Sequence, residues 1–133
     1  MALYGPGRGG LVVGVGLDLV EVPRFGAVLA RRPAMAERLF TPGERAYAGT
    51  LANPVPSLAA RFAAKEAVMK ALGVGIGAFR FDEVDVVRQP SGAPELVLSG
   101  RAEQLATDRG VQSWAISLTH TASAAAAVVL ALA

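Results

Sequence analysis

The sequence predicts an α+β fold in one small domain, and three observations predict it. Helical and extended segments follow one another in mixed order along the chain. A run beginning near Ser57 has helical periodicity with a broad apolar side, and two apolar runs close the chain as expected strands. A length of 133 residues suits one hydrophobic core, and 53 % hydrophobic with 18 % charged residues is the composition of a packed globule. Much of the apolar fraction is Ala and Gly, so the core is modest and oligomerisation would strengthen it.

Taken in order, LVVGVGLDL (11–19) reads as a buried strand ending near Asp18. Pro23 suits the first turn of a helix running through RFGAVLARR to Pro33. AMAERLF forms a short helix stopped at Thr41-Pro42, and PGERAYAG one more turn or two. LANPVPS is a linker, after which Ser57 is expected to cap the long helix. GVGIGAF (73–79) ends that helix with three glycines. FDEVDVVRQ reads as a strand, QPSGAP as a turn and ELVLS as the hairpin partner. SGRAEQLATDRG is an amphipathic helix with Gly110 past its end, and SWAISLTH and AAAAVVLALA are the closing strands.

Several function classes drop out on composition. Without cysteine there is neither a disulfide nor a thiolate metal site, and a reducing cytoplasm is the expected setting. MALYGPGRGG lacks the charged and apolar regions of a signal peptide. The apolar tail falls short of the roughly 20 residues a membrane span needs. A net charge of +2, from 13 basic and 11 acidic residues, is no nucleic-acid footprint. Five arginines nevertheless fall between Glu21 and Arg45, which suits an acidic macromolecular partner.

Within RFAAKEAVMK (61–70), helical spacing puts Leu58, Phe62, Met69 and Leu72 on one apolar stripe. Lys65 falls inside that stripe, and Glu66 and Lys70 lie along its edge. As a bare pair, Glu66 and Lys70 are i, i+4 surface decoration worth roughly 0.2–0.5 kcal/mol, and Lys65 can carry its ammonium out to water along its own methylenes. A second reading explains the charges together. Asp18 is either a turn or capping aspartate or one of two carboxylates, with Glu66, that hold Mg²⁺ alongside substrate phosphates. Lys65, Lys70 and Arg61 would then meet those phosphates. Gly14-Val15-Gly16 does not make a dinucleotide fingerprint, because the third glycine would fall at Leu19. His120 is the only histidine, and Ser117 precedes it by three residues. In a strand the two have opposite parity, which disfavours a nucleophile–base pair.

Four segments, GVGLDLVEVPRF, ERLFTPGE, RFAAKEAVMKALGVGIG and SLTHTASAAAA, resemble in order and spacing the holo-acyl-carrier-protein synthases, a family of small 4′-phosphopantetheinyl transferases. The resemblance implies a long central helix packed on an antiparallel sheet, in one domain over 1–133 with residues 1–10 as a flexible extension. It implies Mg²⁺-dependent transfer of the phosphopantetheine arm of coenzyme A to a serine of an apo acyl carrier protein, releasing 3′,5′-ADP, in fatty acid biosynthesis. Asp18 and Glu66 match the metal ligands. Lys70 matches the lysine on the transferred phosphate, with Glu66 or a water it holds as the base. Arg61, Lys65, Lys70, Gly73, Gly92, Pro94, His120 and Thr121 match the coenzyme A site. Arg24 and Arg31, with Arg32 beside them, match the helix that docks the carrier. The family is also similar in being homotrimeric, with active sites between subunits. QPSGAP departs from the family's Asn-Gly-Lys-Pro turn, since Ser91 and Ala93 replace the Asn and Lys. Two alternatives stand beside this reading: a serine hydrolase on Ser117 and His120, and a non-catalytic carrier-binding subunit.

Overall fold

In the computed structural model, residues 10–133 are described. The expected extension over 1–10 lies outside them except for Gly10. Strand β1 (Val12–Glu21) is followed by helices α1 (Val22–Arg31), α2 (Met35–Leu39), α3 (Pro42–Ala48) and the 17-residue α4 (Val55–Ala71). After α4 come a 3₁₀ turn (Phe81–Glu83), the hairpin β2 (Val84–Arg88) and β3 (Pro94–Leu98), helix α5 (Gly100–Asp108), and strands β4 (Ser113–His120) and β5 (Ala124–Leu132). The α+β expectation holds.

The larger sheet is antiparallel with strand order β1-β5-β4, and α4 lies across its inner face against all three strands. Small residues make that approach possible. A Cβ on Gly14 or Gly16 would fall inside the carbonyl oxygens of Ala71 and Ala67 on α4. The two glycines thus serve close helix–strand packing, not a phosphate-binding turn. Ala59, Ala63, Ala64 and Ala67 of α4 are completely buried. One core cluster joins Val68, Met69 and Leu72 to Val84, Val86 and Val129, and a second joins Leu58 to Val22, Phe25, Leu39 and Phe40.

Three expected boundaries are corrected. Strand β1 runs through Asp18 to Glu21, because its pairing with β5 continues to Glu21 opposite Ala124 and Val22 N–H then donates to Ser123 O. Helix α4 begins at Val55 behind Pro54, with Pro56 also in its first turn, where prolines need no N–H partner. Ser57 is therefore inside the helix and does not cap it. The strand expected from Phe81 starts only at Val84, since Glu83 Oε1 accepts from Arg80 N–H at 2.7 Å and closes a 3₁₀ turn first.

Candidate active site

Asp18 has the same parity along β1 as Gly14 and Gly16, so it too faces α4, one step beyond the close approach. Lys70, one turn after Glu66, reaches back to it: Nζ is 3.1 Å from Asp18 Oδ1 and 2.9 Å from Leu17 O. Glu66 is half-buried. Burial first, and the charge of Asp18 second, raise its carboxyl above the ordinary glutamate range, while the Lys70 ammonium opposes both. Two carboxylates, the charge of one raising the pKa of the other, with a lysine beside them, are suited to a hard divalent cation and a phosphate. Among the described residues no three His, Cys, Asp or Glu side chains converge on one point. That fits an ion whose other ligands are substrate and water. Gly73, with φ +69°, terminates α4 one turn beyond Lys70.

From Glu66 an apolar groove of about 530 Å³ runs past Phe62, Ile76 and Met35 to Phe25, Val28 and Arg24. Arg31 and Arg32 line a recess further along α1, also floored by Val28. The three arginines are exposed.

Arg61, Gly92, Pro94 and His120 come together elsewhere, in a pocket of about 240 Å³ that Tyr47, Ser57 and Arg88 also line. Arg61 is buried, with Nη1 2.5 Å from Ser57 Oγ. Thr121 holds the β4–β5 turn beside His120, its Oγ1 accepting from Ser123 N–H at 3.2 Å and Ala124 N–H at 3.1 Å. Tyr47 and Arg88 were not singled out in the sequence, since no spacing marks them; only the fold brings α3 and the end of β2 to this wall.

The two groups of residues occupy different flanks of α4. Arg61 and Glu66 are five positions apart, about 140° round the helix. Asp18 and Leu118, which lines the second pocket, both pair with Ala127. The flanks are thus two strands apart, about 10 Å, with α4 between them.

Lys65 leaves the expected site altogether. It is fully buried, and Nζ donates to Glu44 Oε1 at 2.8 Å, Phe81 O at 3.0 Å and Val84 O. All three donors are engaged, so none remains for a phosphate, and no route to water exists. Burial lowers the Lys65 pKa and the Glu44 carboxylate opposes that shift. Glu44, the missed partner, also accepts from Thr41 N–H at 2.9 Å and Val86 N–H at 3.0 Å. Thr41-Pro42-Gly43-Glu44 is legible as a capping box, but its buried lysine is not. Ser117 and His120 stay on opposite faces of β4.

An acidic pair with a lysine at the edge of a long helix, with an arginine-lined pocket on the helix's other flank, suits chemistry on phosphate groups. The chain belongs to the 4′-phosphopantetheinyl transferase superfamily, whose family model matches residues 14–129. It is 47 % identical over 121 residues to a holo-[acyl-carrier-protein] synthase of Beutenbergia cavernae, covering 91 % of this chain and 98 % of that one. The holo-[acyl-carrier-protein] synthase of Neisseria meningitidis superposes with TM-score 0.83 at 31 % identity, over 91 % of this chain and 98 % of that one. The Helicobacter pylori synthase, solved in complex with coenzyme A, gives TM-score 0.77 at 31 % identity, over 90 % and 99 %.

Proposed function

We propose that this chain is a holo-[acyl-carrier-protein] synthase of fatty acid biosynthesis, moving the 4′-phosphopantetheine arm of coenzyme A onto a serine of an apo acyl carrier protein. The observation that carries the proposal is the Asp18–Glu66–Lys70 group at the mouth of an apolar groove that ends on Arg24. Asp18 and Glu66 are the residues that would hold Mg²⁺, which when bound neutralises the diphosphate and draws charge off the phosphorus under attack. The serine oxygen forms the new bond to phosphorus, the bond to the 3′,5′-ADP oxygen breaks, and the serine proton passes to Glu66 or to a water that Glu66 holds. Lys70, half-exposed beside Asp18, meets the transferred phosphate. Gly73, at the end of α4, belongs to the coenzyme A site in this reading. Arg61, Gly92, Pro94, His120 and Thr121 form the nucleotide end of the coenzyme A site.

The single domain works as a homotrimer in this reading, with each active site between two protomers. The outer face of the sheet supports it: Val15, Leu17 and Leu19 are 57, 62 and 69 % exposed on β1, with Val128 exposed beside them on β5. Such a patch marks a protein interface. The two half-sites on opposite flanks of α4 support it as well, because one coenzyme A molecule meets both when the second flank belongs to a neighbouring copy. The cysteine-free sequence suits a cytoplasmic setting. Among the described residues no helix is long and apolar enough to cross a membrane.

Intact-mass analysis of an apo carrier protein after incubation with coenzyme A and Mg²⁺, with and without EDTA, tests the proposal. The expected result is the added mass of one phosphopantetheine arm, lost with EDTA. Carrier binding without a mass change would identify a binding subunit instead, and transfer indifferent to EDTA would remove the metal.

A further inference from the structure

Lys65 and Lys70 are the only lysines in the sequence, and the remaining positive side chains are arginines. Both lie on α4, and each meets a carboxylate from a distant part of the chain, Glu44 and Asp18 respectively. The two pairs are built differently. Lys65 and Glu44 are sealed from water, and all three Lys65 donors are taken. The Lys70 ammonium is half-exposed and has two partners among the described residues, Asp18 Oδ1 at 3.1 Å and Leu17 O at 2.9 Å. An arginine would present a planar fork at this point, whereas an ammonium is a compact, strongly hydrated charge. It sits on a carboxylate oxygen and a carbonyl oxygen, the kinds of hard donor that a divalent cation takes. Its charge also acts on Glu66, one turn earlier on α4, so one ammonium serves both carboxylates.

We propose that Lys70 is a stand-in cation: it holds Asp18 until the divalent ion binds, yields that carboxylate to the ion, and is thereby freed to meet the transferred phosphate. The inference rests on the metal and coenzyme A reading above. A divalent ion on either oxygen of the Asp18 carboxylate would bring like charges together at a partly enclosed site, so ammonium and ion exclude each other there. Lys70 has somewhere to go, because its side chain is open to water and the groove begins beside Glu66. Lys65, enclosed with Glu44, has no such freedom. The displacement couples the two ligands, since Lys70 has already parted from Asp18 when a phosphate arrives. By linkage, a phosphate that draws Lys70 away strengthens ion binding by the same factor.

The test uses the full chain in two arms, neither of which needs turnover. In the first, lysine is labelled selectively with carbon-13 and followed by NMR. Two side-chain signals are expected, and Lys70→Met identifies one of them by its loss. Saturating Mg²⁺ should shift the Lys70 signal and raise its mobility, while Lys65 stays unchanged as the internal reference. Asp18→Ala should show the mobile Lys70 signal before any Mg²⁺ is added. A Lys70 signal that saturating Mg²⁺ leaves in place overturns the proposal. In the second arm, Mn²⁺ binding to the nucleotide-free protein is measured by electron paramagnetic resonance. Lys70→Met is expected to bind Mn²⁺ about two- to fivefold more tightly than wild type, the range that an exposed ion pair is worth. Unaltered or weaker binding in Lys70→Met overturns the stand-in role and leaves the metal site in place. Tighter binding with no change at Lys70 in the first arm means repulsion without displacement, and overturns it too. Absence of Mn²⁺ binding in both proteins overturns the metal reading together with the proposal.

Discussion

Lys70 Nζ stands 3.1 Å from Asp18 Oδ1 and 2.9 Å from Leu17 O, tying the end of α4 to β1 across 52 positions of sequence. The lysine side chain is 53 % exposed and the aspartate 14 %. An ion pair so open to water contributes at most about 1 kcal/mol, so the ammonium is free to exchange the carboxylate for a phosphate. Lys70→Ala should therefore melt close to wild type. Its kcat should fall by about a hundredfold, more than any rise in the KM for coenzyme A, because the charge is needed where it develops. A raised KM with normal kcat would make Lys70 a ground-state anchor instead.

Asp18 and Glu66 should both be indispensable and structurally expendable. Asp18→Ala and Glu66→Ala are expected to remove transfer at millimolar Mg²⁺ while circular dichroism stays native, and near-normal turnover in either would dismiss the metal site.

The coupling between the two carboxylates has its own signature in metal-free protein. Burial and Asp18 raise the Glu66 pKa and Lys70 lowers it. Carboxyl-carbon NMR should thus find Glu66 still protonated at a pH where an ordinary glutamate is ionised. Asp18→Asn should move its midpoint down and Lys70→Ala should move it up. Movement in the opposite sense for either would mean that the groups are not within electrostatic reach.

Lys65 is where a role in binding and a role in stability part most sharply. Its ammonium is enclosed with Glu44 and two carbonyl oxygens, so Lys65→Met strands a buried carboxylate, at about 3–5 kcal/mol. The expected result is a large fall in Tm with unchanged coenzyme A affinity in the protein that remains folded. Adding Glu44→Gln should recover part of the loss, since the amide oxygen still accepts from a backbone N–H. A variant that melts normally but binds coenzyme A weakly would return Lys65 to the active site.

Gly16 should tolerate no side chain. A methyl group there would meet the Ala67 carbonyl, forcing β1 away from α4 and taking Asp18, two residues on, with it. Gly16→Ala is expected to lose at least about 1–3 kcal/mol and most of its turnover together. Retained activity with lowered Tm would show that Asp18 is positioned independently of this contact.

What the sequence disclosed and what it hid follow from the range of the forces involved. The α+β class, the β2–β3 hairpin and the turn at Gly110 were legible because periodicity and turn chemistry are local. Glu66 and Lys70 stood out as charges at the border of an apolar helix face, and Asp18 as a carboxylate near the end of an apolar strand. The fate of Lys65 was hidden: a lysine at a core position looks alike whether it escapes to water, meets a phosphate or pairs with a glutamate 21 positions earlier. The role of Gly14 and Gly16 was hidden for the same reason, since only the facing carbonyls of α4 reveal why a Cβ is excluded. Tyr47 and Arg88 were invisible because α3 and the hairpin meet only in three dimensions.

The arginines of α1 should act on the carrier and not on coenzyme A. Arg24 borders the apolar groove that leads to Glu66, and Val28 continues from it into the recess formed with Arg31 and Arg32. Arg24 and Arg31 are seven residues apart, close to two turns, so they share a face with Val28 between them. An acidic helix laid along that face would place its apolar side in the groove and its carboxylates against the guanidiniums. Arg24→Glu combined with Arg31→Glu should raise the KM for the carrier by about tenfold or more, as charge reversal at an interface does. The KM for coenzyme A should hardly move if neither arginine touches its nucleotide beside Arg61 and His120 or its diphosphate beside Glu66. Added salt should weaken the wild type's carrier binding more than the double variant's, since screening removes an attraction that only the wild type has. Steady-state kinetics varying each substrate at two salt concentrations provide the measurement, and equal damage to both KM values would place these arginines at the coenzyme A site instead.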